Sequence, residues 1–253
     1  MHILLTNDDG IHAPGLAALQ PALASLGDLS VVAPSSQCSG VSHGVTYLQP
    51  LTCEEVPRAG TVASWSVDGM PADCVKLGIN RLLKTRPELV VSGINGGLNA
   101  GINVIYSGTV AAAREAALLG VTSLAISLEA APQPDYDRAA TIALGIIKQI
   151  LAQRPQGGFY NVNIPTQALD GRPQVAVAAM SLELYGEYLQ REDPKGRPYY
   201  WSSDSPPPPP TSPASDVDLL EQGLVTITPL QLDSTDHSLL SEMRSWPLGL
   251  PDG

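Results

Sequence analysis

Two adjacent carboxylates, Asp8 and Asp9, stand directly after a short apolar run in the opening stretch MHILLTNDDGIHAPG. Like charges side by side repel, and no Lys or Arg precedes Arg58 or lies between Arg86 and Arg114. Whatever offsets the pair must therefore be a backbone dipole, a metal ion or a side chain arriving from elsewhere. Two further loops carry suitable groups. Ser39-Gly40 follows Cys38 in APSSQCSGVSHG, and the Gly- and Asn-rich run SGINGGLNAGINVIYSGT, containing Asn95 and Asn99, ends in Ser107-Gly108-Thr109. Two carboxylates with a hydroxyl and an amide oxygen are hard ligands suited to one Mg²⁺ or Mn²⁺ ion. A helix start at Ser107-Gly108-Thr109 offers free amides and two hydroxyls to a phosphate, and a loop short of bulky side chains lets the backbone approach a ligand. Taken alone, the first loop reads equally as a solvated turn, and an SGT helix start more often serves only as an N-cap.

The elements around these loops alternate. Ile3 to Leu5 reads as a strand, and leucines at 16, 19, 23 and 26 suit a helix that Pro21 either kinks or delays. Strands are expected at 29–34, 88–95, 123–128 and 159–165, with helices at 71–83, 109–120 and 135–153 between them. This rhythm predicts an α/β fold: a Rossmann-like three-layer sandwich around a mostly parallel sheet. In such sheets the loops leaving the carboxyl ends of strands form the ligand crevice, which is where Asp8 and Asp9 fall. After about residue 175 the rhythm fails. VAVAAM and GLVTITPL look like strands with no helix between them, and the Pro/Ser segment at 202–215 reads as an exposed loop. A single domain over 1–253 is expected, with 175–253 as a β-rich oligomerisation arm. Tyr185, Tyr188, Tyr199, Tyr200 and Trp201 gather there in a chain only 5% aromatic, which suits a subunit interface.

Composition narrows the function. A net charge of -11 makes the chain a poor candidate for binding nucleic-acid polymers, and none is expected as a partner, because that binding rests on Lys and Arg meeting phosphates. No apolar run reaches the roughly 18 residues of a membrane span, and the first residues lack the features of a signal peptide, so a cytoplasmic protein with no membrane partner is expected. Three cysteines without C-x-x-C spacing read as reduced thiols rather than a disulfide framework or zinc site. The four histidines form no cluster; His12 and His43 are kept as crevice candidates.

The stretches ILLTNDDGIHAPG, Ser39-Gly40, DGMPADCV, VSGINGGLNAGINVIYSGTVAAAREAALLG and VTITPLQLDST together resemble the SurE family of survival-protein nucleotidases. The resemblance is dense over residues 1–130 and patchier beyond. It implies a 5′-nucleotidase: a metal-dependent phosphomonoesterase acting on nucleoside monophosphates, with a Rossmann-like core and a C-terminal region used in a homodimer or homotetramer. It also implies one divalent cation held by positions matching Asp8, Asp9, Ser39 and Asn95. With Asn95, Ser107, Gly108 and Thr109 at the phosphate, either Asp8 or Asp9 can take the proton of the attacking water. Asn7, His43 and Asn99 are candidates for supporting contacts.

Three positions depart from the family pattern. Cys38 stands where many relatives carry a basic residue, which removes a phosphate contact; Glu115-Ala116 replaces Glu-Gly, with an effect expected on packing only; and the proline run reads as an insertion. The alternative from another class is a nucleotide-sensing module that binds without turnover. An aspartyl-phosphate phosphatase is disfavoured by the adjacent rather than Asp-x-Asp pair, and a Rossmann dehydrogenase by the missing G-x-G-x-x-G.

Overall fold

A computed structural model describes residues 1–154, 156–184, 186–202, 214–246 and 248–249. The first strand, β1 (His2–Thr6), is buried along its whole length. It pairs in parallel with β2 (Asp28–Pro34) on one side and β5 (Leu89–Gly96) on the other. Near-continuous apolar runs such as these are what strands covered on both faces require. From β2 the sheet extends outward through β4 (Ala63–Asp68) to the antiparallel edge strand β3 (Thr52–Glu55). From β5 it extends through β6 (Thr122–Leu128) and β7 (Phe159–Ile164), both parallel. The chain therefore winds away from β1 in one direction and returns beside it in the other, which puts the topological switch between β1 and β5.

Helices cover both faces. On one face α1 (Pro14–Ala24) and α5 (Tyr136–Gln153) lie together over Ile3, Leu5, Val91 and Ile126. On the other, α2 (Pro71–Leu77) and α4 (Gly108–Leu118) enclose Leu4, Val32, Val90 and Ala116. Burying an aliphatic side chain contributes on the order of 2 kcal/mol, so these two layers dominate the fold's stability. The expected three-layer α/β architecture is present. Pro14, not Pro21, sets the start of α1, because proline at the first helical position loses no hydrogen bond; Pro21 lies inside the helix. The helix expected at 71–83 is α for its first seven residues and becomes a π-turn at Gly78–Leu82.

The C-terminal third differs most from expectation. VAVAAM supplies only the short strand β8 (Val175–Val177), and GLVTITPL supplies β11 (Val225–Pro229). Both extend the main sheet: β11 runs antiparallel to β7, and β8 parallel to β11. A helix does precede β11, namely α6 (Asp216–Glu221), with the Ser215 hydroxyl accepting the Asp218 amide at its N-terminus. Between β8 and α6 a hairpin of β9 (Tyr188–Glu192) and β10 (Pro198–Ser202) forms a separate two-stranded sheet. Its turn is drawn in by Asp193, whose carboxylate accepts the amides of Lys195 and Arg197. Every residue of both hairpin strands is exposed. A last helix, α7 (His237–Met243), has no buried residue. Tyr185 and most of the Pro/Ser segment lie outside the described residues. Among the described residues, no helix is long and apolar enough to cross a membrane.

Candidate active site

The C-terminal ends of β1 and β5 open into a pocket of about 220 Å³ lined by Asp8, Asp9, Ser39, Asn95, Asn99 and Ser107, among others. Residues from three separate loops thus meet at the switch point. Asn7, the first residue after β1, closes the turn on itself. Its side-chain amide donates to the Gly10 carbonyl at 2.9 Å, and its carbonyl oxygen accepts the Gly10 amide at 3.2 Å. That leaves Asp8 directed toward α4 and Asp9 toward the pocket mouth.

Asp8 is 4% exposed. The Thr109 hydroxyl donates to its Oδ1 at 2.5 Å, and the Thr109 amide donates to its Oδ2 at 3.0 Å. Gly108 is a packing requirement here: a Cβ would lie 2.9 Å from the Asp8 Cβ. Burial pushes the Asp8 carboxyl up to about 6, with the charge of Asp9 adding to the rise and the Thr109 hydroxyl opposing it. Burial also raises Asp9, against a lowering contribution from the Gly96 amide. Asn95 donates its side-chain amide to the Gly97 carbonyl at 2.7 Å, a bond that does not use its Oδ1.

The donor set suits a hard divalent cation: two carboxylates and two neutral oxygens from loops without a basic side chain in the pocket wall. Among the described residues no three His, Cys, Asp or Glu side chains gather as a metal cluster, so soft or borderline ions that favour imidazole and thiolate have no comparable place. A cation bound here would offset the partly compensated charge that burial makes unfavourable at Asp8.

The other expected residues divide. Ser107 lines the pocket and caps α4, its Oγ accepting the Val110 amide at 3.1 Å. Thr109 is fully buried, with both donors committed to Asp8 rather than directed into the pocket. Asn99 is the centre of a buried amide network. Its side chain donates to Ser127, its amide donates to Asn163, and its carbonyl accepts from Asn161 and Asn163. His43 stands apart from the pocket lining, with Nε2 2.9 Å from Glu115, and His12 is exposed. Cys38 reaches Asp8 through its backbone, its amide donating to the Asp8 carbonyl at 2.7 Å. Burial, with Asp8 and Asp68 nearby, raises its thiol. Ala116 is fully buried in the α2/α4 layer, a packing position.

Four contributors escaped sequence reasoning. Gln37 donates to Ser39 Oγ at 2.9 Å, and its position two residues before Ser39 was the only available signal. Asn103 and Tyr106 line the pocket from inside a stretch already recognised as the glycine-rich loop. Asp216, fully buried, lies beside the Pro/Ser segment and carried no signal at all. Its Oδ2 accepts the Gly101 amide at 2.8 Å and its Oδ1 accepts the Ser181 amide at 2.8 Å. Gly101 sits at φ +54, and a Cβ there would meet Val217 at 3.1 Å. The clamp thus holds the middle of the Asn99 to Asn103 turn.

The known proteins similar to this chain point to one family. The family model described as Survival protein SurE matches residues 3–187. A 5′-nucleotidase SurE from Rhodopirellula baltica is 51% identical over 251 residues, covering 98% of this chain and 99% of that protein. Another 5′-nucleotidase SurE, from Desulfatibacillum aliphaticivorans, is 41% identical over 99% of this chain and 100% of its own length. The crystal structure of the SurE protein from Aquifex aeolicus superposes with a TM-score of 0.84 at 34% identity, covering 96% of this chain and 98% of that one. With a family model matched over residues 3–187 and relatives matched over nearly the whole chain, the chain belongs to the SurE family.

Proposed function

We propose that this protein is a divalent-metal-dependent 5′-nucleotidase that hydrolyses nucleoside monophosphates to nucleoside and phosphate. The observation that carries the reading is the convergence of Asp8, Asp9, Ser39 and Asn95 on one pocket that also contains Ser107. These four would hold one Mg²⁺ or Mn²⁺ ion. When bound, such an ion polarises a phosphoryl oxygen and lowers the pKa of a bound water. The protein's own groups do the rest. Thr109 fixes the orientation of Asp8 with two hydrogen bonds, and Asn95 is steadied by Gly97. Because Thr109 engages both Asp8 oxygens, the freer carboxylate is Asp9, and we assign to it acceptance of the water's proton. The water oxygen joins phosphorus, the ester P–O bond breaks, and a proton ends on the ribose 5′ oxygen. The Ser107 hydroxyl and the Gly108 amide at the start of α4 stabilise the charge on the equatorial phosphoryl oxygens.

A phosphate-release panel over nucleotides, with and without EDTA, tests this reading. Hydrolysis should stop on chelation and return with Mg²⁺ or Mn²⁺; full turnover in excess EDTA would sink the metal assignment. Tight nucleotide binding without phosphate release would favour the sensing module instead.

The β9–β10 hairpin supports a homodimer or homotetramer. Tyr188, Tyr200 and Trp201 are 77%, 59% and 64% exposed on it, and a two-stranded hairpin is marginal without a surface to lie on. The free cysteines Cys38, Cys53 and Cys74 fit a reducing compartment, which supports a cytoplasmic location.

A further inference from the structure

The helical layer over one face of the sheet is incomplete. At Gly78 the end of α2 comes so close to the sheet that a Cβ would lie 3.2 Å from a methyl of Val32, and there it loosens into its π-turn. From Leu83 the chain is extended, and Leu82 to Thr85 border a cleft of about 450 Å³ before β5 begins. The helix thus stops short of the amino ends of β2 and β4, at the end of the sheet opposite the first pocket. On that bare strip His2 pairs in register with Asp28, Ser30 with Ala63, and Trp65 of β4 with Glu55 of β3, and all of these line the cleft. Its size is that of sites for small organic ligands.

The chemistry of the lining says what kind of ligand belongs there. At one wall His2 Nδ1 is 2.9 Å from the Thr85 carbonyl, which can only accept, so Nδ1 donates; in the neutral ring Nε2 then accepts the Ser30 hydroxyl at 2.9 Å. His2 and Ser30 are both buried, so this wall is fixed. Trp65, Leu82 and Leu83 are half-buried and supply apolar surface. Asp28 and Glu55 are exposed, and among the described residues neither carboxylate has an ion pair or a hydrogen bond. Lys84 brings one positive charge against these two. The cleft is thus acidic beside an indole, a combination that attracts a cation carrying its own flat apolar body and repels an anion. We propose that it binds a small arylalkyl amine in its protonated form. The ring lies against Trp65, Leu82 and Leu83, and the ammonium group pairs with Asp28 and Glu55. This site is independent of the nucleotidase reading, since it shares no lining residue with the first pocket.

Three probes of similar size separate charge from shape. Phenethylamine, phenylethanol and phenylacetate carry the same ring with a positive, a neutral and a negative end. Each is titrated by calorimetry at neutral pH into the full chain and into a variant with both Asp28→Asn and Glu55→Gln. Both substituted side chains are exposed, and Glu55 is on the edge strand β3, so the core is untouched and the far-ultraviolet spectrum should not change. Phenethylamine should bind with a dissociation constant on the order of 1 mM, the range for so small a ligand. Phenylethanol and phenylacetate should bind at least about tenfold more weakly, and the variant should lose at least about tenfold for phenethylamine alone. No saturable binding of phenethylamine at about 10 mM, equal binding of the three probes, or an unchanged affinity in the variant overturns the proposal.

Discussion

The carboxyl end of β1 and β5 and the β9–β10 hairpin are opposites in how they treat polar and apolar groups. At the sheet, charged and amide side chains are buried and nearly every one has a partner: Asp8 with Thr109, Asn99 with Ser127 and Asn163, Asp216 with Gly101 and Ser181. On the hairpin, large aromatics face outward, and hydrogen bonds run between its two strands. Buried polar groups are costly unless satisfied, so the first region is rigid for a reason internal to the chain. Exposed aromatics lack such a reason within one protomer, which is what motivates the proposed assembly through the second region. Satisfied buried polarity marks the candidate site, and uncovered apolar surface marks the proposed contact.

Each side of this contrast can be attacked separately. The largest effect should come from Asp9→Asn: at least a hundredfold loss of kcat/KM with an unchanged far-ultraviolet spectrum, and loss of most of the thermal stabilisation that Mn²⁺ gives the wild type. Near-normal turnover would return the first loop to a solvated turn. Ser107→Ala removes one hydroxyl donor from the pocket, and Thr109→Val removes the one that orients Asp8; each should lower kcat by about 10- to 1000-fold. If either variant instead loses stability with unchanged kinetics, the helix start is only a cap.

Asp216→Asn keeps the shape of the clamp but presents an amide where a carboxylate oxygen accepted a backbone N–H. A stability loss on the order of 3 kcal/mol in denaturant titration is expected, together with faster amide exchange at Gly101 and Ser181. Deleting residues 188–202 should do the reverse: a shift toward monomer by light scattering with little change in the exchange protection of β1 and β5. Unfolding of the sheet on that deletion would erase the contrast.

The smallest effect concerns Glu115. The His43 hydrogen bond, with Lys76 nearby, holds its carboxyl below the ordinary value of 4.5. A depressed folded pKa means a contribution that is complete above the unfolded value and lost as pH falls through the folded one. His43→Ala should therefore cost less than about 1 kcal/mol at pH 7, the difference fading as pH falls below 4.5 through the folded value. A difference that persists at pH 3 would mean that His43 acts through packing.

How much of this was legible beforehand follows from the range of each interaction. The βαβ rhythm and the three loops were readable because strand, turn and helix preferences are local, and Asn7 to Gly10 closes its turn within four residues. Thr109 was found for a reason the geometry revises. Its position at a helix start suggested a phosphate donor, whereas its partner is Asp8, 101 residues away. Pairing at that distance leaves no mark on neighbouring residues. The same holds for Asp216 and Gly101, 115 residues apart. The edge strand β3 and its neighbour β4 were missed because TCEE is exposed throughout and ASWSVD mixes exposed and buried positions without clear alternation. The parallel pairing of β8 with β11 was invisible because it depends on β7 offering an edge.

The absence of Lys and Arg from the wall of the first pocket also bears on how substrate arrives. A chain of net charge -11 surrounds itself with a field that pushes a nucleotide dianion away, the inverse of the steering by which basic clefts hasten encounter. Added salt shortens the reach of that field to about 8 Å at physiological ionic strength. Capture of a nucleotide should therefore quicken, rather than slow, as salt rises from low concentration. This protein's association rate is set by how well its surroundings hide its charge.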